Sequence, residues 1–94
     1  MKGETPQEFL EGLYYGMEQV FIYKGRTRCA QGWREEDGRM MMKLEQWEPM
    51  VDDYLLWDFR APTPEECLKD FLAAPVFDGR TFWEAETEFD VIFA

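Results

Sequence analysis

Gln19-Val20-Phe21-Ile22-Tyr23-Lys24-Gly25-Arg26-Thr27-Arg28-Cys29-Ala30-Gln31-Gly32-Trp33 is the stretch on which the fold turns. Its first five residues are mostly β-branched or aromatic, side chains that suit a pleated, half-buried surface. Lys24-Gly25 falls where a two-residue hairpin turn belongs. From Arg26 to Trp33 the chain alternates, with Thr27, Cys29, Gln31 and Trp33 on one side. Arg34-Glu35-Glu36-Asp37-Gly38 is a polar loop ending in a turn dipeptide. Arg39 to Trp47 alternates again, Met40, Met42 and Leu44 facing one way and Arg39, Met41, Lys43 and Glu45 the other. The spacing predicts a three-stranded antiparallel meander.

Helices bracket this sheet. Thr5-Pro6-Gln7-Glu8 places a hydroxyl at the N-cap, proline at the first helical position and a glutamate three residues after the cap. Thr63-Pro64-Glu65-Glu66 repeats the signal, and Thr81-Phe82-Trp83-Glu84 repeats it without the proline. The first helix is expected from Pro6 to Tyr15, with Phe9, Leu10, Leu13, Tyr14 and Met17 as its apolar stripe and Gly16 as its stop. Gly12 inside it costs about 1 kcal/mol relative to alanine and suggests a close backbone approach. The second helix is expected from Pro64 to Ala73, and a short third one follows the Asp78-Gly79 turn.

The stretch 48–60 is ambiguous. Pro49 interrupts it, yet Leu55, Trp57 and Phe59 alternate, so a fourth strand is expected over its second part. Phe89-Asp90-Val91-Ile92-Phe93 reads as a last strand or an apolar strap. The expected fold is a single α+β domain over 1–94: an N-terminal helix, a three- to four-stranded antiparallel sheet and two C-terminal helices.

The chain has no histidine, serine or asparagine. Histidine is the side chain that titrates near neutrality unaided, and serine paired with it is the commonest hydroxyl nucleophile. Their absence turns the expectation away from catalysis, and no cofactor is expected. Cys29 and Cys67 are too few for a metal site, and two reduced thiols are expected. The carboxylate pairs Glu35-Glu36, Asp52-Asp53 and Glu65-Glu66 lack the apolar enclosure that raises a catalytic pKa, although Asp52-Asp53 has Met50, Val51 and Tyr54 beside it. No stretch has the length to span a bilayer or the form of a leader, so a cytoplasmic protein without membrane contact is expected.

Charge is lopsided. Residues 1–47 hold seven basic against eight acidic groups, whereas 48–94 hold three against twelve, within a total of −10. Lys24, Arg26, Arg28, Arg34, Arg39 and Lys43 fall on expected strands or turns, which suggests a weakly basic sheet face. In the acidic half Asp52, Asp53 and Asp58 alternate with Tyr54, Trp57 and Phe59. Carboxylates around aromatic anchors suit a surface that docks on a basic protein partner, the rings supplying energy and the charges steering. A non-enzymatic protein–protein interaction module is therefore the leading expectation. An inhibitor from a mobile element that mimics nucleic acid is the alternative, and a carboxylate-based enzyme ranks third. Direct nucleic-acid binding is disfavoured, because a chain at −10 repels phosphate. The opposed charge of the two halves permits a homodimer.

The run Cys67-Leu68-Lys69-Asp70-Phe71-Leu72-Ala73-Ala74-Pro75-Val76-Phe77-Asp78-Gly79-Arg80-Thr81-Phe82-Trp83-Glu84 resembles the C-terminal part of a family of short, uncharacterised bacterial proteins. The strand pair from Glu18 to Trp33 is similar to their central hairpin. The shared motifs are structural, so the resemblance implies a fold and no activity.

Overall fold

A computed structural model describes residues 1–93. The chain runs α1 (Pro6–Tyr14), β1 (Gln19–Tyr23), β2 (Arg26–Arg34), β3 (Met40–Glu48), β4 (Leu55–Ala61), α2 (Pro64–Ala73), α3 (Phe82–Ala85), a 3-10 turn (Glu86–Glu88) and β5 (Phe89–Phe93). The strands form one antiparallel sheet in the order β4-β3-β2-β1-β5. Lys24 and Gly25 both take positive φ, 49° and 75°, which makes the two-residue turn whose twist matches the strands it joins. That turn sets the register from Tyr23↔Arg26 to Gln19↔Ala30.

The tail is a strand, so the sheet has five members. β5 pairs with β1, and its other side is bridged by Lys2, which donates to the Phe89 carbonyl and accepts from the Val91 N–H, both at 2.9 Å. The α+β arrangement is otherwise the one the sequence implies. β4 starts only at Leu55, because Pro49 lies in the turn before it and a register shift between Leu44 and Glu45 displaces its first residues.

All three helices pack on one face of the sheet, and the buried apolar side chains form one cluster there. Phe9, Phe21, Phe71, Phe77, Phe82 and Phe89 are buried to within 1 % of completely. Phe21 and Phe89 stack at 4.4 Å between centroids, and Phe9 meets Phe21 edge-on at 5.6 Å. Gly32 lies under α1, where an added Cβ would come within 3.0 Å of Met42 and 3.4 Å of the Leu13 carbonyl. Small residues at Ala30 and Gly32 thus let the helix approach β2.

The three caps differ in detail. At Thr5 the box is reciprocal: its hydroxyl accepts from the Glu8 N–H and its own N–H donates to the Glu8 carboxylate. At Thr63 the hydroxyl accepts from the Glu66 N–H and donates to the Glu66 carboxylate, without the return bond to the cap backbone. At Thr81 both the N–H and the hydroxyl donate to Glu84. Tyr14 ties α1 to α2 by donating to Glu65 at 2.8 Å. Met17, expected on the apolar stripe, lies beyond the end of α1 and is exposed, while Gly16 stops the helix with φ at 78°.

Gly12 admits a side chain, and this corrects the expected backbone approach. The amide of Gln19, itself 1 % exposed, lies so close that an added Cβ would sit 2.0 Å from its Nε2. Gly12→Ala must displace that buried amide. It is expected to lower unfolding stability by about 1–3 kcal/mol in chemical denaturation, despite alanine's better helix propensity. An unchanged midpoint would contradict the packing described.

Stability should also fall in acid. Backbone N–H groups at Thr5 and Thr81 hold Glu8 and Glu84 below the usual carboxylate range, the Tyr14 hydroxyl does so for Glu65, and Arg26 and Arg80 do so for Asp78 and Glu88. Each carboxylate binds protons more readily in the unfolded chain, so each stabilises the fold above its unfolded pKa and stops doing so as pH falls through the folded one. Glu4, pushed up by burial, opposes this weakly. Thermal melts from pH 7 to pH 2 should show a melting temperature that declines below about pH 4.5.

Candidate functional site

The turn from β3 to β4 gathers exposed apolar side chains. β3 ends at Glu48, the Glu48–Pro49 peptide is cis, and the chain returns at Tyr54, whose carbonyl accepts from the Gln46 N–H at 2.8 Å. The Gln46 side chain is buried and donates from Nε2 to the Pro49 carbonyl at 3.0 Å, which fixes the turn from inside. Trp47, Met50, Val51 and Tyr54, with Gln46, line a depression of about 310 Å³. Leu55 follows it on β4. Met50 is 90 % exposed, Tyr54 51 % and Leu55 47 %. Glu48, Asp52 and Asp53 are exposed around the same turn. A cluster of large apolar side chains rimmed by charge is a common mark of a contact surface.

The six sequence-predicted surface residues divide. Asp52, Asp53 and Tyr54 belong to this turn and are exposed. Trp57 and Phe59 are half-buried against the helix-side core. The indole of Trp57 donates to Asp70 at 2.8 Å, and its ring lies 5.2 Å from that of Phe71. Those two rings hold α2 to the sheet. Asp58 is exposed and points to the opposite face, alternating with them along β4. Trp47, Met50, Val51 and Leu55 complete the cluster; the sequence names Met50 and Val51 only as neighbours of Asp52-Asp53 and Leu55 only as part of the expected strand. The signal available was an apolar run around a proline that fits neither a helical nor a strand period.

The expected basic sheet face is not a free patch. Arg26 pairs with Asp78 at 3.1 and 2.5 Å, and Lys24 lies 3.9 Å from the same carboxylate. Lys43 pairs with Glu45 at 2.9 Å, Arg39 with Asp37 at 3.0 Å, and Arg34 donates to the Gly38 carbonyl. Arg28 is 3 % exposed, over the Tyr23 ring, and makes one long contact of 3.5 Å to Gln46. Burial, and then neighbouring Arg26, push its pKa down. Alternation along β2 puts Arg28 on the helix side with Ala30, which is why it is buried.

Groups that handle protons or electrons are dispersed. Among the described residues no three His, Cys, Asp or Glu side chains converge as metal ligands would. Asp52 and Asp53 stand in solvent, without the apolar enclosure that tunes a catalytic acid. Among the described residues no helix is long and apolar enough to cross a membrane. The sequence matches no protein-family model, and comparison with curated proteins and with solved structures gave no match.

Both cysteines are free and buried. Burial, reinforced by Glu18 and Glu45, pushes the Cys29 thiol up to about 12, and burial also raises Cys67. Since the thiolate is the nucleophile, neither is poised to react. An aromatic disulfide reagent at pH 8 should leave both unmodified over minutes in the native protein and label both at once in denaturant. Rapid labelling of native Cys29 would refute the burial described.

Proposed function

We propose that this chain is a non-enzymatic protein-binding module that grips a basic partner through the β3–β4 turn. The observation carrying this reading is the exposure of Trp47, Met50, Val51, Tyr54 and Leu55 together, beside Glu48, Asp52 and Asp53. The apolar groups supply contact energy, and the unpaired carboxylates steer a positively charged surface toward them.

The distribution of acidic groups supports the same surface. In the C-terminal half Glu65, Glu66, Asp70, Asp78, Glu84 and Glu88 accept hydrogen bonds within the fold. Those acids serve the structure. Among the described residues Glu48, Asp52, Asp53, Asp58 and Asp90 have no hydrogen-bonded or ion-pair partner, and the first three gather where the apolar surface is. The nucleic-acid-mimic reading is weaker for this reason, because mimicry needs an extended array of free carboxylates.

A direct test uses an array of immobilised fifteen-residue peptides that combine lysine or arginine with leucine, phenylalanine or tryptophan. Saturable binding is expected, weakened about tenfold or more by Tyr54→Ala with Met50→Ala and weakened by salt after Asp52→Asn with Asp53→Asn less than in the parent chain. Binding that ignores all four substitutions would place the contact elsewhere.

A further inference from the structure

β4 is an edge strand. Among the described residues nothing pairs with its outer side, so its outward N–H and C=O groups face solvent. The opposite edge, at β5, is bridged by Lys2. Open edges invite pairing with another strand. What matters is which strand the side chains of β4 admit.

We propose that β4 pairs antiparallel with β4 of a second copy, about a two-fold axis through Phe59, joining two five-stranded sheets into one. The usable part of β4 sets the length of contact. The register shift next to Leu44 and Glu45 distorts the strand before Trp57, and Pro62 follows Ala61 with no N–H to give. Five residues, Trp57 to Ala61, remain straight and available.

Symmetry then selects the register. Two copies of one strand related by a two-fold keep matching faces only when a residue of one copy stands opposite itself in the other. Centring on Asp58 opposes carboxylate to carboxylate, and centring on Arg60 opposes guanidinium to guanidinium. Centring on Phe59 opposes Asp58 to the second copy's Arg60 and Arg60 to the second copy's Asp58. It also brings Phe59 against its equivalent on the helix side and uses all five straight residues. Unlike charges directly across a strand pair stabilise it, whereas like charges do the reverse.

The local groups fit this pairing. Arg60 donates to Glu35 through Nε, which leaves its two Nη groups for a second carboxylate. Among the described residues Asp58 has no hydrogen-bonded partner, and it is exposed. Beside β4, a groove of about 470 Å³ runs between Phe59, Arg60 and Ala61 on the strand and Glu66, Lys69 and Asp70 on α2. The two-fold sets α2 antiparallel to its copy across this groove, with both signs of charge on each side.

Sedimentation equilibrium at about 0.15 M salt, where repulsion between two chains of charge −10 is screened beyond about 8 Å, tests the pairing. The parent chain is expected to move from monomer to dimer between about 1 μM and 1 mM. By symmetry Asp58→Arg alone, or Arg60→Asp alone, makes two like-charge pairs and should weaken association about tenfold or more, while the double exchange should recover most of it. Circular dichroism melts check that each variant remains folded. Hydrogen exchange should show amides of 57–61 protected in proportion to protein concentration. A parent chain monomeric throughout, a dimer indifferent to either single exchange, a double exchange that stays monomeric, or protection confined to 47–55 would each overturn the proposal.

Discussion

The fold depends on a knot of phenylalanine rings. Phe9 comes from α1, Phe21 from β1, Phe71 from α2, Phe82 from α3 and Phe89 from β5, with Phe77 from the loop before α3. Phe89 alone lies within 6.1 Å of Phe9, Phe21, Phe77 and Phe82. Large rings bury much apolar area for each residue ordered, which matters in a chain this short. Since the knot draws on both ends of the chain, the helices and the last strand are held to the sheet by the same contacts.

That arrangement determines where charge can go. The acidic surplus sits in a half of the chain whose helices need carboxylates as caps and as partners for Tyr14, Trp57, Arg26 and Arg80. Many of the surplus carboxylates are therefore engaged in local hydrogen bonds and remain charged. Of the carboxylates left over, Glu48, Asp52 and Asp53 lie at the β3–β4 turn, where apolar side chains stand exposed, and Asp58 and Asp90 lie on the two border strands.

Features set by neighbours in sequence were legible. The capping residues placed the starts of α1 and α2 and the ends of β1, because each depends on a few consecutive side chains and a turn. Pairing between distant segments was less so. Nothing in Phe89–Phe93 says that its partner is β1 rather than another edge, and alternation alone does not say which face a helix will cover. Hence the basic residues of β2 and β3 were read as one exposed face, although Arg28 lies under the helix side. The candidate surface was half legible. Asp52, Asp53 and Tyr54 were found through the contrast of acid with aromatic, while Trp57 and Phe59 share that contrast and yet pack inward, since β4 takes its inner face from Leu44 and Met42.

Lys2 bridges β5 on the side away from β1, so the sheet is not alike at its two borders. Strand addition that uses one border only closes after a single event. Joined through β4, two sheets end on both flanks in the bridged β5 border, which offers little template for a third. The two backbone hydrogen bonds of Lys2 thus leave the β5 border less open to strand addition than the β4 border.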